Sequence, residues 1–202
     1  HRDLFKTEFE AIAVLRRDGD TSQRTSLLAN DANRLFGDWS DFFSNKARLS
    51  RRIKRLGDMI EHLGWIDEQM ALLESEGDPE GLNQKNRSIC EQRLAFYQDE
   101  IEQIRKARSD ASFDEIVLTL GEAANAMFAK YRETFAGKDR QSVPLDTLNV
   151  ICEELYDLAA QMNELDRVRS NDANQQNLAT VLDQLRLFQR EYDSIRKVQE
   201  AS

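Results

Sequence analysis

One amphipathic pattern occurs three times in this chain, at intervals of just over ninety residues. Each copy places two large apolar residues three positions before a glutamate: Leu4–Phe5 with Glu8, Phe96–Tyr97 with Glu100, and Leu187–Phe188 with Glu191. The second copy begins 92 positions after the first, and the third begins 91 positions after the second. Self-similarity at a fixed long period is the mark of a repeat architecture, in which each repeat is one supersecondary unit.

The residues between these copies also correspond. Apolar positions in the stretch 21–45 recur at helical spacing, and each has an apolar or aromatic counterpart 92 positions later. These pairs are Leu28/Leu120, Ala32/Ala124, Leu35/Met127, Phe36/Phe128, Trp39/Tyr131 and Phe43/Phe135. The offset falls to 91 only after the Glu76–Gly81 loop, where surface backbone can absorb a one-residue deletion. With only 8 glycines, 2 prolines and 32% charged residues, the composition favours long helices.

We therefore predict an all-α fold of tandem three-helix bundles with a period of about 92 residues. Residues 19–110 are expected to form the first repeat and residues 111–202 the second. Residues 1–18 match the last helix of a repeat, so we expect the chain to be an excerpt of a longer protein.

Two local patterns set the expected helix boundaries. The stretch Ser112–Glu115 fits a capping box that starts the second repeat, and Asp20, Thr21 and Ser22 are candidate N-caps for the first. A turn is expected between about residues 45 and 51, because Gly137 and Pro144 stand at the corresponding positions of the second repeat.

Tandem three-helix units with an aromatic residue midway along the first helix, here Trp39 and Tyr131, resemble the spectrin-repeat family. The resemblance implies an elongated scaffold that spaces or docks other proteins. It implies no catalytic residue.

Residue types that carry chemistry are sparse. The two histidines, His1 and His62, and the two cysteines, Cys90 and Cys152, have no metal-binding spacing, and no phosphate loop or nucleophile motif occurs. We therefore expect no enzymatic activity, no cofactor and no metal, and we expect His62 on the surface. Cysteines within apolar helical patterns and without CxxC spacing favour a reducing compartment, and thus a cytoplasmic location. No apolar run approaches the ~20 residues of a membrane span.

A basic cluster departs from an otherwise acidic chain with a net charge of −9. It consists of Lys46, Arg48, Arg51, Arg52, Lys54 and Arg55. Cations in the first turn of a helix face the positive end of its dipole, so their presence there suggests an acidic partner, a phosphate or a lipid headgroup. In that case reversing Arg51, Arg52, Lys54 and Arg55 to glutamate should leave folding nearly unchanged. The alternative is a solvated segment that pairs with nearby aspartates and glutamates.

Trp65 is a second feature in which the two repeats differ, because its counterpart in the second repeat is Asp157. A position that accepts aspartate is expected near the surface, where tryptophan is a common interface anchor. Gly57 and Gly64, one heptad apart, would let another helix approach. Phe42, opposite a threonine, receives the same interpretation. The alternative is that Trp65 lies across the seam of its own bundle.

The leading hypothesis is a non-enzymatic helical scaffold that works through protein contacts. Its partner surface would join the basic residues of the segment 46–55 to Trp65, and its partners would be proteins of acidic character; self-association stays open. A helical signalling or ligand-sensor bundle is the alternative. A third function, binding of nucleic acid or anionic lipid through the basic cluster, is disfavoured by the net charge.

Overall fold

The computed structural model describes residues 20–77 and 81–200. These residues form six α-helices and a short 3-10 helix: α1 (Thr21–Phe42), the 3-10 helix (Arg48–Ser50), α2 (Ile53–Glu76), α3 (Leu82–Asp110), α4 (Phe113–Phe135), α5 (Leu145–Val168) and α6 (Asp172–Glu200). The part of the chain that is described contains no strand, so the predicted all-α class is confirmed. The 92-residue period stays a prediction, and the terminal helix expected within 1–18 lies outside the described residues.

Both predicted helix caps are confirmed. The Oδ1 atom of Asp20 accepts a hydrogen bond from the Gln23 N–H at 2.8 Å. At the start of α4, the Ser112 hydroxyl accepts from the Glu115 N–H at 3.2 Å, and the Ser112 N–H donates to the Glu115 carboxylate at 2.7 Å. These bonds satisfy amides that a helix leaves unpaired in its first turn. They also lower the pKa of Glu115, because they favour its ionised form.

The turn after α1 is present where the sequence predicts it. Asn45 adopts a left-handed conformation with φ of 61°, which ends the helix at Phe42, and Gly137 adopts φ of 70° in the turn after α4. In the first turn, the Ser50 N–H donates to the carbonyl three residues before it at 3.0 Å, and in the second the Ser142 N–H does the same at 3.1 Å. The two turns are therefore built alike, 92 positions apart.

The described residues group into two compact units. The first unit contains residues from the stretches 20–40 and 53–102, and the second contains 41–52 and 103–200. The turn after α1 thus belongs to the second unit, although it lies in the first predicted repeat. The repeat boundaries at 19–110 and 111–202 describe a correspondence of sequence and stay a prediction.

The core of the first unit lies along one face of α2. Its buried side chains recur at helical spacing, as the sequence predicts: Leu56, Met59, Leu63, Ile66, Met70 and Leu73. Trp39 of α1 packs against α3, where its ring stacks on Tyr97 with centroids 5.3 Å apart and meets the edge of Phe96 at 4.8 Å.

The core of the second unit is built in the same manner. The buried apolar side chains of α5 include Leu148, Ile151, Leu155, Leu158 and Met162. Tyr131 of α4 stacks on Phe188 of α6 with ring centroids 3.9 Å apart. Since Tyr131 corresponds to Trp39 and Phe188 to Tyr97, each unit contains an aromatic pair at the same positions of its helices.

The Tyr97 hydroxyl is a buried polar group that we expect to lower the stability of the first unit. It is buried and has no hydrogen-bond partner among the described residues, and burial raises the pKa of Tyr97 to about 12. The corresponding residues of the other two copies of the pattern are Phe5 and Phe188. We expect Tyr97→Phe to raise the free energy of unfolding by about 1 kcal/mol, because it removes a hydroxyl that folding has stripped of water.

Urea denaturation at two pH values tests this expectation. Tyr97 is neutral in the folded state up to a higher pH than in the unfolded state, so its contribution to stability is complete below pH 10 and is lost between pH 10 and about 12. The free energy of unfolding of Tyr97→Phe should therefore exceed that of the wild type by more at pH 11 than at pH 7. A variant that is less stable than the wild type at pH 7 would show that the hydroxyl is satisfied in the native protein.

Candidate functional site

The residues predicted as a partner surface fall into both compact units. The second unit contains Lys46, Arg48, Arg51 and Arg52, and the first contains Lys54, Arg55 and Trp65. The two groups are therefore considered separately.

Lys46 is paired within its own unit. Its ammonium group forms an ion pair with Glu154, a buried residue of α5, and donates to the Asp41 carbonyl at 2.8 Å. The same ammonium lies 5.6 Å from the centre of the Phe42 ring, within the range of a cation–π contact. Phe42 is itself buried, so the expectation that it lies near the surface as an anchor is wrong.

Arg52 is paired in the same way with a residue of α5, which lies one turn further along that helix than Glu154. Its guanidinium forms an ion pair with the buried carboxylate of Asp157 and lies 5.8 Å from the ring centre of Tyr156. Two of the six clustered cations thus compensate buried carboxylates of the chain itself. Removal of either cation would leave a buried charge alone, so we do not expect these two residues to be dispensable for folding.

Hydrogen bonds from Gln161 and Arg108 hold the backbone of the same segment. The Gln161 amide donates to the Ser50 carbonyl at 2.9 Å, and its oxygen accepts from the Arg108 guanidinium. Arg108 also donates to the carbonyls of Leu49 and Arg51, at 3.4 and 2.8 Å. Burial lowers the pKa of Arg108, because desolvation penalises its charged form. The carbonyls of Leu49, Ser50 and Arg51 therefore accept hydrogen bonds from side chains of α3 and α5.

A related contact closes the turn after α4. Gln199, near the end of α6, donates to the carbonyls of Arg140 and Val143 at 3.2 and 3.0 Å. It stands 91 positions after Arg108, at the corresponding place in the second repeat. In both cases a donor near the end of a third helix holds the carbonyls of a turn between a first and a second helix.

The partners of these cations were not predicted from the sequence. Glu154, Asp157 and Gln161 are three and four positions apart, so they share one face of α5. They alternate with buried apolar residues of α5 such as Leu155 and Leu158, which is the available signal: three polar residues in helical register beside a core-facing stretch. Such residues are expected to have fixed partners, since buried polar groups are rarely unpaired.

The remaining cations are more exposed. Lys54 forms a pair with Asp58 one turn along α2, with both oxygens 2.8 Å away and both side chains open to water. Arg48 is exposed, Arg55 is half-buried, and Arg51 donates through Nε to a backbone carbonyl at 3.1 Å.

Trp65 lies half-buried on α2, beside a histidine. The centres of the Trp65 and His62 rings are 6.0 Å apart, and His62 Nε2 lies 2.8 Å from the Asp31 carboxylate. His62 was expected on the surface, and it is half-buried beside the Asp31 carboxylate. Gly64 precedes Trp65, and a Cβ added there would meet nothing within 4 Å.

The first unit also exposes large apolar side chains on α3, whose exposure was not predicted from the sequence. On α3, Leu82, Ile89 and Phe96 are 44%, 48% and 42% exposed. They recur every seven residues, so they lie along one side of the helix. We call this set the α3 stripe.

The described parts of the chain contain no group of three or more His, Cys, Asp or Glu residues placed to hold a metal ion. None of the helices within 20–77 and 81–200 is long and apolar enough to cross a membrane. Burial raises the pKa of the Cys90 and Cys152 thiols to about 11, so both are protonated at neutral pH and poor nucleophiles.

Comparison with protein-family models, curated proteins and solved structures gives no match for this chain. The resemblance to spectrin repeats therefore stays an expectation based on sequence pattern and helical architecture.

Proposed function

We propose that this chain is a non-enzymatic helical scaffold that binds other proteins through exposed faces of its helices. The α3 stripe is the observation that carries the proposal. Large apolar side chains exposed every seven residues suit the apolar face of a helix from a partner protein. The occupant we infer is an amphipathic helix with apolar residues at the same spacing.

The second repeat indicates that the fold itself does not require the α3 stripe. The positions of α6 that correspond to Leu82, Ile89 and Phe96 are occupied by Ala173, Thr180 and Leu187. A third helix can thus pack in its unit with small or polar residues at two of the three positions. Leu82 and Ile89, exposed apolar side chains at the two positions where the second predicted repeat does without them, therefore favour a role in binding.

A second part of the proposed partner surface lies on α2. Lys54 and Arg55 in its first turn, with Trp65 three turns further on, are the members of the predicted surface that share the first unit. The basic end of this part, Lys54 and Arg55, would suit an acidic protein. Lys46 and Arg52 contribute less to such a surface, because Glu154 and Asp157 already compensate their charge.

The two other hypotheses receive less support. A ligand-sensor bundle would need a group of buried polar side chains that await a ligand. The described polar groups of α5 bond to the chain itself, as Gln161 does with Ser50, and the buried Tyr97 hydroxyl that lacks a partner belongs to the other unit. Binding of nucleic acid or anionic lipid would use the basic cluster, where two cations are paired with buried carboxylates and the whole chain has a charge of −9.

Site-specific cross-linking tests the scaffold proposal. A photo-reactive side chain placed at Ile89 should capture a protein from an extract of the source cells, whereas one at Leu118, an exposed residue of α4, should not. With the captured protein purified, Ile89→Lys should weaken binding by about tenfold or more, because a charge would be buried against apolar surface. Leu118→Lys should leave the affinity within about twofold. Equal capture at both positions, or equal affinities of the two variants, would contradict the role of the α3 stripe.

A further inference from the structure

The second unit shows how a turn between a first and a second helix can dock on a neighbouring helix. The segment 46–52 is held on α5 by the Arg52–Asp157 ion pair and by the hydrogen bond from Gln161 to the Ser50 carbonyl. Both contacts join residues that are more than a hundred positions apart. Two residues of the turn, Ser50 and Arg52, thus contact two residues of the helix, Asp157 and Gln161. We call this arrangement the template, with a turn side and a helix side.

The same chain contains a second set of residues that fits this template. On the helix side, α2 has Trp65 and Gln69 at the positions that correspond to Asp157 and Gln161. On the turn side, the turn after α4 has Ser142 and Pro144 at the positions of Ser50 and Arg52. Gln69 therefore matches Gln161, and Ser142 matches Ser50.

The remaining pair changes on both sides at once. The template has Arg52 against Asp157, and the corresponding residues of the second set are Pro144 and Trp65. If the second turn docked in the same way, an ionic contact would be replaced by one between two apolar rings, and neither side would be left with a charge facing an apolar group. A change of only one partner would have left such a mismatch, which is costly when buried.

From this correspondence we infer that a second copy of this chain docks the turn after α4 on the Trp65 face of α2. Copies of the chain would then associate head to tail. The inference names one partner of the scaffold proposed above, and it rests on that proposal only in treating α2 as a binding face. It uses a surface distinct from the α3 stripe, so the two can fail separately.

The local surfaces are suited to this contact. Residues 136–142 and Pro144 are exposed, while Trp65 and Gln69 are half-buried on α2. Glu61 and Glu68, both exposed, lie one turn to either side of Trp65, and the turn after α4 presents the cation of Lys138. The open space beside Gly64 would admit an incoming backbone. The carboxylates beside Trp65 and the cation of Lys138 are therefore of opposite charge.

An interface of this kind joins two different surfaces and does not pair with itself. Such a heterologous contact forms open chains unless the rotation happens to close a ring. The average mass of the purified chain should therefore rise steadily with concentration, without a plateau at the dimer.

Sedimentation equilibrium of the full 202-residue chain, from about 1 µM to about 1 mM, tests the inference. Trp65→Asp should weaken the association by about tenfold or more, because it places a carboxylate against Pro144. Trp65 is only half-buried, so the variant should keep its fold, and circular dichroism measures this. The double variant Trp65→Asp/Pro144→Arg restores the ionic pair of the template, and its association should return to within about threefold of the wild type.

Leu118→Asp is the matched control, since it adds the same charge at an exposed position of α4 and should associate like the wild type. Should Trp65→Asp lose helicity, Lys138→Glu on the exposed turn tests the same contact and should also weaken the association. Ile89→Lys on the α3 stripe should leave the association unchanged. A wild-type chain that stays monomeric throughout, or a double variant that associates no better than Trp65→Asp, would overturn the inference.

Discussion

Replacing Arg52 with alanine is expected to lower the free energy of unfolding by about 3–5 kcal/mol. The substitution leaves the carboxylate of Asp157 in its buried position on α5 without its cation. A carboxylate in such a site has lost most of its hydration, and the guanidinium is what compensates it. Thermal and urea denaturation, followed by circular dichroism, measure the change.

Lys54 supplies the matched control for Arg52. Its pair with Asp58 is exposed on both sides, and contacts of this kind contribute about 0.3–0.5 kcal/mol, so Lys54→Ala should have almost no effect on unfolding. Adding Asp157→Asn to Arg52→Ala should recover part of the loss, since the neutral amide is cheaper to bury than a lone carboxylate. If Arg52→Ala and Lys54→Ala behaved alike, the Arg52–Asp157 pair would have no part in stability.

The helices of this chain were predictable because their signals are local. Apolar spacing on α2 and α5, and the caps at Asp20 and Ser112, depend on residues within a few positions of one another. The end of α1 was less predictable: a helix to about residue 45 was expected, and it ends at Phe42. No glycine or proline marks that end, and the left-handed conformation of Asn45 decides it.

The grouping of the segment 41–52 with the second unit was not predictable in this way. It depends on contacts such as the one between Ser50 and Gln161, which are 111 positions apart in sequence. Charge alone identified Lys46 and Arg52 as unusual. It could not identify Glu154 and Asp157 as their partners, because most acidic residues on a helix are exposed to solvent.

Arg108→Ala is expected to lower the free energy of unfolding by about 2–4 kcal/mol, because one guanidinium donates to two backbone carbonyls and to the Gln161 oxygen. Arg108→Gln should recover most of that loss. Gln199, the corresponding residue of the second repeat, holds two turn carbonyls with an amide, which shows that a neutral donor suffices for a turn of this construction. The amide also avoids the desolvation that lowers the pKa of Arg108. Urea denaturation of the three proteins decides the matter: if glutamine were as destabilising as alanine, the site would require the length or the charge of arginine, and the likeness between Arg108 and Gln199 would not extend to their roles.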